Sequence, residues 1–279
     1  MPSNLTYKVA AAHVAPIFLK LDLTIEKVCS IIDEAANHGA ELIAFPEAFI
    51  PAFPIWSALQ SPIHNHDMFV ELAANTVRIP GPELDVIAGV ARDKGGFVSM
   101  GLNEGTSSST GCLWNSNVII GDDGVVLCHH RKISPTFYEK LVWAPGDGAG
   151  LRVSETRLGR LGALICGENT NPLARYSLIA QGEQVHVSTY PPVWPTHDPD
   201  TGENYDLKHA IKLRAGVHSF EGKLFNIVAA GYLDKDTRNY LADRDKDAGR
   251  ILDGSPGGVS MVIGPDGFPL GEPLQDEEG

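Results

Sequence analysis

Short apolar runs alternate along the chain with segments whose apolar residues recur every three or four positions. Tyr7 to Ala12 reads as a first strand. Ile25, Val28, Cys29, Ile32, Ala35 and Ala36 then fall at i, i+3, i+4, i+7 spacing, the stripe of an amphipathic helix. Thr24 or Asp22 stands where a capping side chain would start that helix, and Gly39 stands where it would stop. Leu42-Ile43-Ala44-Phe45 is an unbroken apolar strand. Glu83 to Lys94 predicts a second helix and Phe97 to Leu102 another strand. A hairpin follows, Leu113 to Ile120 and Val125 to His130, joined through Gly121-Asp122-Asp123-Gly124. A second spans Leu151 to Cys166 and turns near Arg157 to Gly159. Pro172 to Gln181 and Asp206 to Gly222 read as helices, Val185 to Thr189, Phe225 to Ala230 and Val259 to Ile263 as strands. The last of these leads into the turn Gly264-Pro265-Asp266-Gly267. Such alternation implies helices packed on the faces of a mixed sheet. With no internal repeat and no linker-like stretch, the 279 residues are expected to form one domain.

Composition narrows the partners. At 43% hydrophobic and 20% charged, the chain has the make-up of an ordinary globular protein. Its net charge of −13, with Lys and Arg scattered, argues against nucleic acid or an anionic membrane surface as a partner. No apolar run approaches the roughly 20 residues a membrane span needs. Val9 to Leu19 after Lys8 imitates a secretory signal. His13 and Pro16 interrupt it, however, and Lys20-Leu21-Asp22 stands where small residues should mark a cleavage site. The four cysteines, Cys29, Cys112, Cys128 and Cys166, are far apart and lack zinc-ligand spacing. No metal or organic cofactor is expected, and the reducing cytoplasm is the expected compartment.

Three residues stand out chemically. Leu161-Gly162-Ala163-Leu164-Ile165 runs into Cys166, and a polar stretch then leads to a helix opened by Pro172. A thiol at the end of a strand, ahead of a helix amino terminus, is placed for activation by that terminus. Glu47 lies just past the apolar Leu42 to Phe45, before the aromatic and proline-rich run Ala48 to Pro54, which is suited to lining a dry pocket. Such a pocket raises the proton affinity of a carboxylate, as a general base requires. Lys132 follows the strand ending Leu127-Cys128-His129-His130-Arg131. Taken singly, a strand-end cysteine is more often a small buried hydrophobe, and a loop glutamate or lysine is more often solvated. A base, a cation and a thiol beyond the carboxyl ends of three strands together suggest an activated nucleophile, because α/β folds place their crevices there. Cys29, Cys112 and Cys128 keep the structural reading. No phosphate-binding loop, serine elbow or H-E-x-x-H occurs. Pairing of Cys166 with His64, His66, His197 or His209, in the manner of papain, is the competing arrangement.

Phe45-Pro46-Glu47, Arg131-Lys132-Ile133-Ser134-Pro135-Thr136 and Leu164-Ile165-Cys166-Gly167-Glu168 resemble the three signature regions of the nitrilase superfamily, the carbon–nitrogen hydrolases. Their order and their separations of 85 and 34 residues match as well. Pro135 to Glu139, Val142 to Gly148, Gly159 to Gly162 and Asn171 to Tyr176 further resemble the nitrilase branch. The resemblance implies a four-layer α-β-β-α sandwich that pairs into homodimers or larger homo-oligomers. It implies Cys166 as nucleophile, Glu47 as base, Lys132 as stabiliser of the tetrahedral intermediate, and Glu139 as a second glutamate beside the lysine. The expected mechanism adds the backbone N–H of Gly167 as an oxyanion donor. The substrate it implies is a small-molecule nitrile. An amide or carbamoyl compound, or cyanide, is the alternative with the same three residues, and a catalytically silent assembly module is the non-enzymatic one. Two features depart from the pattern. Gly167 stands where nitrilases usually carry Trp, and the chain ends soon after the Gly264 turn, where relatives usually continue into another strand and a tail.

Overall fold

Strand alternation decides the architecture, because strands with two apolar faces must be covered on both sides. In the computed structural model, which describes residues 6–279, ten strands form two five-stranded sheets. The first has the order β1 (Lys8–Ala11), β2 (Ala40–Ala44), β3 (Phe97–Glu104), β4 (Trp114–Ile120), β5 (Val126–Arg131). Here β1 to β3 are parallel, and β4 and β5 continue as an antiparallel meander. The second sheet contains β6 (Ser154–Thr156), β7 (Gly159–Ile165), β8 (Val185–Tyr190), β9 (Phe225–Ala230) and β10 (Met261–Ile263) in spatial order β10-β9-β8-β7-β6. Its centre is parallel and both edges are antiparallel.

Leu42 and Ala44, with Phe97 and Ile119, meet Leu161, Ala163, Val187 and Ile227 in a core between the two sheets. On the opposite face of the first sheet, Ile43, Val98 and Val118 pack with Val28 and Ile32 of α1 (Leu21–Asn37). Beyond a short α2 (Trp56–Leu59) and α3 (His66–Ala74), helix α4 (Pro82–Lys94) adds Leu84, Ile87 and Ala91 to that core. On the outer face of the second sheet, Leu164 packs with Ala174 and Leu178 of α5 (Pro172–Ala180). Val228 and Ala230 join a cluster with Ile211 and Ala215 of α6 (Leu207–Gly222). The layers are therefore helix, sheet, sheet, helix. The four-layer sandwich implied by the resemblance is present, and the single mixed sheet suggested by alternation is corrected to two. Periodicity cannot tell one sheet from two, since each strand carries the same local signal either way.

Two further differences have local causes. The first helix begins at Leu21 and is capped by neither Asp22 nor Thr24. Asp22 lies within its first turn, and the Thr24 hydroxyl donates to the Ile17 carbonyl at 3.0 Å. Besides α2 and α3, the helices α7 (Lys235–Ala242) and α8 (Ala248–Asp253) had no reading in the sequence. In α7 only Thr237 and Leu241 are buried, too sparse a stripe to stand out. Past the Gly264 turn the chain folds back along β10. Ser260 and Leu274 exchange both backbone hydrogen bonds at 2.9 Å, and Leu270 donates to Val262. Among the described residues, no helix is long and apolar enough to cross a membrane.

Candidate active site

Glu47, Lys132 and Cys166 leave the carboxyl ends of β2, β5 and β7. Each is locked by its own loop. The Lys132 backbone donates to Asn115 O and accepts from Gly146 N, both at 2.8 Å. Cys166 opens a 3-10 turn, Cys166–Thr170, and a second 3-10 turn, Phe137–Leu141, carries Glu139. Three non-glycine residues with left-handed backbone lie here: Ala48 (φ 48°), Phe137 (φ 51°) and Cys166 (φ 49°). Such residues cost free energy and persist only where the surroundings hold them.

The side chains converge out of solvent. Glu47 and Lys132 are each 1% exposed, Glu139 is 0% and Cys166 5%. Lys132 Nζ lies 2.6 Å from Glu47 Oε1 and 2.8 and 2.7 Å from the two oxygens of Glu139. Asn115 Nδ2 donates to the same Glu47 oxygen at 2.8 Å. The other Glu47 oxygen, Oε2, is buried without a partner. Thr136 N donates to Glu139 Oε2 at 2.6 Å, so the residue that caps the turn also aims its carboxylate.

Charge and burial set the proton affinities. Burial would lower the Lys132 ammonium, but the Glu139 and Glu47 carboxylates and Cys166 raise it, so it stays charged. Burial raises the Glu139 carboxyl, Lys132 pulls against it and Glu47 adds to it, leaving it at about 7. For Cys166, burial and then the Glu47 charge push the thiol well above its ordinary range, while Lys132 opposes them. The sequence suggested activation by a helix amino terminus. The structure corrects that: α5 starts six residues after the thiol, and Asn171 Oδ1 already accepts from Leu173 N and Ala174 N. The resting sulfur is a protonated thiol that needs a base.

A second set of residues holds the first, and sequence reasoning assigned them no role. Asn103 donates to the carbonyls of Ile50 and Ala52 at 3.0 and 2.9 Å and accepts from Trp143 Nε1, tying the loop after Glu47 to the segment after Glu139. Glu168 accepts from Ile133 N at 2.6 Å and Ile165 N at 2.9 Å, and pairs with His130 Nε2 at 2.8 Å. It thereby clamps the residue after the lysine to the residue before the cysteine. Glu104 receives Ser116, His129 and Arg131. A polar residue on an otherwise apolar strand, such as Asn103 or Asn115, was the available signal.

Around the cluster stand aromatic rings: Phe53 packs against Trp143 and Trp194, and Tyr138 stacks on Trp194 at 4.4 Å. The hydroxyls of Tyr138 and Tyr190 are buried and unpartnered. Phe49 and Phe53 line a small cleft with Glu47, Pro192 and Tyr232, as expected of the aromatic run. A Cβ built on Gly167 would come within 2.9 Å of Thr136 Oγ1, so the room a larger side chain would need is taken by the cap of the Glu139 turn. All four charged or nucleophilic candidates are brought together, with Gly167 beside them. The histidines are not: none of His64, His66, His197 or His209 hydrogen-bonds Cys166 among the described residues, and His197 pairs with Thr196.

The chain is similar to known proteins over nearly its whole length. A family profile described as carbon-nitrogen hydrolase matches residues 8–279. The chain is 35% identical to Nitrilase 3 of an unknown prokaryotic organism, over 98% of this chain and 79% of the relative. It is 34% identical to a nitrilase of Paraburkholderia phymatum, over 100% of this chain and 78% of the relative. Among solved structures, Saccharomyces cerevisiae Nit3, a member of branch 10 of the nitrilase superfamily, superposes with a TM-score of 0.72 at 15% identity. That match covers 98% of this chain and 87% of the other.

Proposed function

The chain belongs to the carbon–nitrogen hydrolase family, and from that premise we propose that it converts an organic nitrile to a carboxylic acid and ammonia through Cys166. One observation carries the reading. Glu47 is held by Lys132 and Asn115 through Oε1 only, which leaves Oε2 buried and free to take a proton. The protonated thiol of Cys166 is the group that needs such a base.

In this mechanism Glu47 Oε2 removes the thiol proton as sulfur adds to the nitrile carbon. That proton passes to the substrate nitrogen, giving a thioimidate. Lys132 and the backbone N–H of Gly167, which has no acceptor within its own 3-10 turn, stabilise developing negative charge. Glu47 then activates a water that adds to the thioimidate carbon. Protonation of the nitrogen expels ammonia and leaves a thioester. A second water releases the acid and restores the thiol. Glu139 acts through Lys132, holding its ammonium in line. The chemistry needs no metal or organic cofactor. The protein is read as one domain acting as a homodimer or larger homo-oligomer in the cytoplasm, on the strength of the family resemblance.

The test counts acid, amide and ammonia in one reaction, across aliphatic, arylaliphatic and aromatic nitriles with their matching amides. Acid and ammonia in near-equal amounts, with amide minor, is the expected result. Amide as the dominant product would mean that the tetrahedral intermediate expels sulfur, making the enzyme a hydratase. Turnover of amides without attack on nitriles would make it an amidase.

A further inference from the structure

The layer between the second sheet and its helices is unusually polar. His186 and Ser188 of β8, Asn226 of β9, His218 and Ser219 of α6, Glu183 and Asn169 are all buried there. Within this set Glu183, His186, Asn169 and Ser188 are joined by hydrogen bonds, each constraining the next, whereas both His218 ring nitrogens, Ser219 Oγ and Asn226 Oδ1 have no hydrogen-bond partner. Asn169 Nδ2 donates to the carbonyls of Leu164 and Cys166, at 3.2 and 3.1 Å. Both of its hydrogens are thereby used, and Oδ1 faces Ser188 Oγ at 3.1 Å and His186 Nε2 at 3.0 Å. His186 Nε2 must therefore carry hydrogen. Its other nitrogen, Nδ1, lies 2.7 Å from Glu183 Oε1, a contact that two acceptors cannot make without a proton between them.

We propose that Glu183, His186 and Asn169 form a one-way hydrogen-bond relay that positions Cys166, completed by a proton held between the Glu183 carboxyl and the His186 ring. This deepens the reading of Cys166 as nucleophile and rests on it. Burial raises Glu183 and lowers His186, to about 3, so the proton rests on the carboxyl and the imidazole is neutral. His218 Nε2 lies 3.1 Å from Glu183 Oε2, and burial lowers it to about 4. The other charged or titratable groups acting on His186 are Arg175 of α5, and Glu168 and His130 behind the cysteine turn.

The relay sets which way the Asn169 amide points. Flipped, it would aim Oδ1 at two carbonyl oxygens and Nδ2 at a ring N–H. Unflipped, it grips the carbonyls on both sides of Ile165, while Glu168 holds the Ile165 N–H. Between them they keep Cys166 in its left-handed conformation. Glu183, His186 and His218 are also ligand types that hold metal ions. Ligands at about 2.0 Å around a tetrahedral ion keep roughly 3.3 Å apart, however, and the 2.7 Å contact is that of a hydrogen bond.

Two readouts independent of nitrile turnover test this. Nitrogen-15 NMR of the histidines, with His186→Gln for assignment, should show His186 neutral and protonated at Nε2 from about pH 5.5 to 8.5. An imidazolium titrating in that range, the opposite tautomer, or one bound metal ion per chain by elemental analysis would overturn the relay. The second readout is the rate at which iodoacetamide alkylates Cys166, identified with Cys166→Ala. Glu183→Leu should slow it by about tenfold or more. Glu183→Gln, whose amide can donate to His186 Nδ1, should recover most of the rate. Equal rates in folded Glu183→Leu and Glu183→Gln would refute the positioning role, and if Glu183→Leu does not fold, the NMR measurement decides. A relay that passes both tests in a protein inactive on nitriles would sink the substrate reading alone.

Discussion

Lys132 Nζ sits 2.6 Å from Glu47 Oε1, and neither side chain has any solvent exposure. Glu139 grips the same nitrogen with both oxygens, so two carboxylates share one ammonium. Removing one partner of a buried ion pair costs far more than the pair itself contributes, because the remaining charge is stranded. The two carboxylates are therefore tested by isosteric changes.

Glu47→Gln keeps the shape and removes the base. Acylation should fall by about 10²–10⁴-fold, read from single-turnover ammonia release, with the circular dichroism spectrum unchanged. A variant within a few-fold of the parent would place the base elsewhere.

Cys166→Ala should abolish turnover and keep the fold, since alanine adopts the same backbone and leaves a gap of one sulfur atom. Cys29→Ala, Cys112→Ala and Cys128→Ala should affect stability at most. Measurable hydrolysis by well-folded Cys166→Ala would exclude the nucleophile assignment.

With the Glu139 carboxyl at about 7, kcat/KM should decline as pH falls through that value. Protonating Glu139 removes the charge that holds the Lys132 ammonium in line, so the developing negative charge is less well stabilised. Glu139→Gln should lower the rate at alkaline pH and remove this acid limb. An unchanged profile in Glu139→Gln would reduce Glu139 to a loop carboxylate.

Burial alone would raise Glu104, but hydrogen bonds from Arg131, His129 and Ser116 hold it down at about 2. A carboxyl lowered in the folded state stabilises above its unfolded value of about 4.5, and that contribution is lost as pH falls from there toward 2. The loss is on the order of 2 kcal/mol after discounting for its partly solvated partners. Glu104→Gln should be less stable at neutral pH and show a flatter acid limb in urea denaturation. Equal acid sensitivity in both proteins would assign that limb to other carboxylates.

The sequence by itself determined the elements and the chemistry types. Apolar runs located β2, β3, β7 and β8, and helical spacing located α1, α4 and α6, because these signals are local and each residue's environment repeats with the period of its element. Glu47, Lys132 and Cys166 were legible because each lies at or just past the carboxyl end of a strand, and the order and spacing of the three carry the family resemblance. Tertiary structure alone decided the rest. The protonated thiol, the unpartnered Glu47 oxygen and the tie from Trp143 to Asn103 all depend on groups far apart in the chain brought into a volume without water. The roles of Asn103, Glu168 and the Glu183–His186–Asn169 chain are hidden further. A buried polar side chain looks in sequence like a solvated one, and only the partners it meets in the fold, such as Ala48 for Asn103, Ile133 for Glu168 and His186 for Asn169, show that it is a tether.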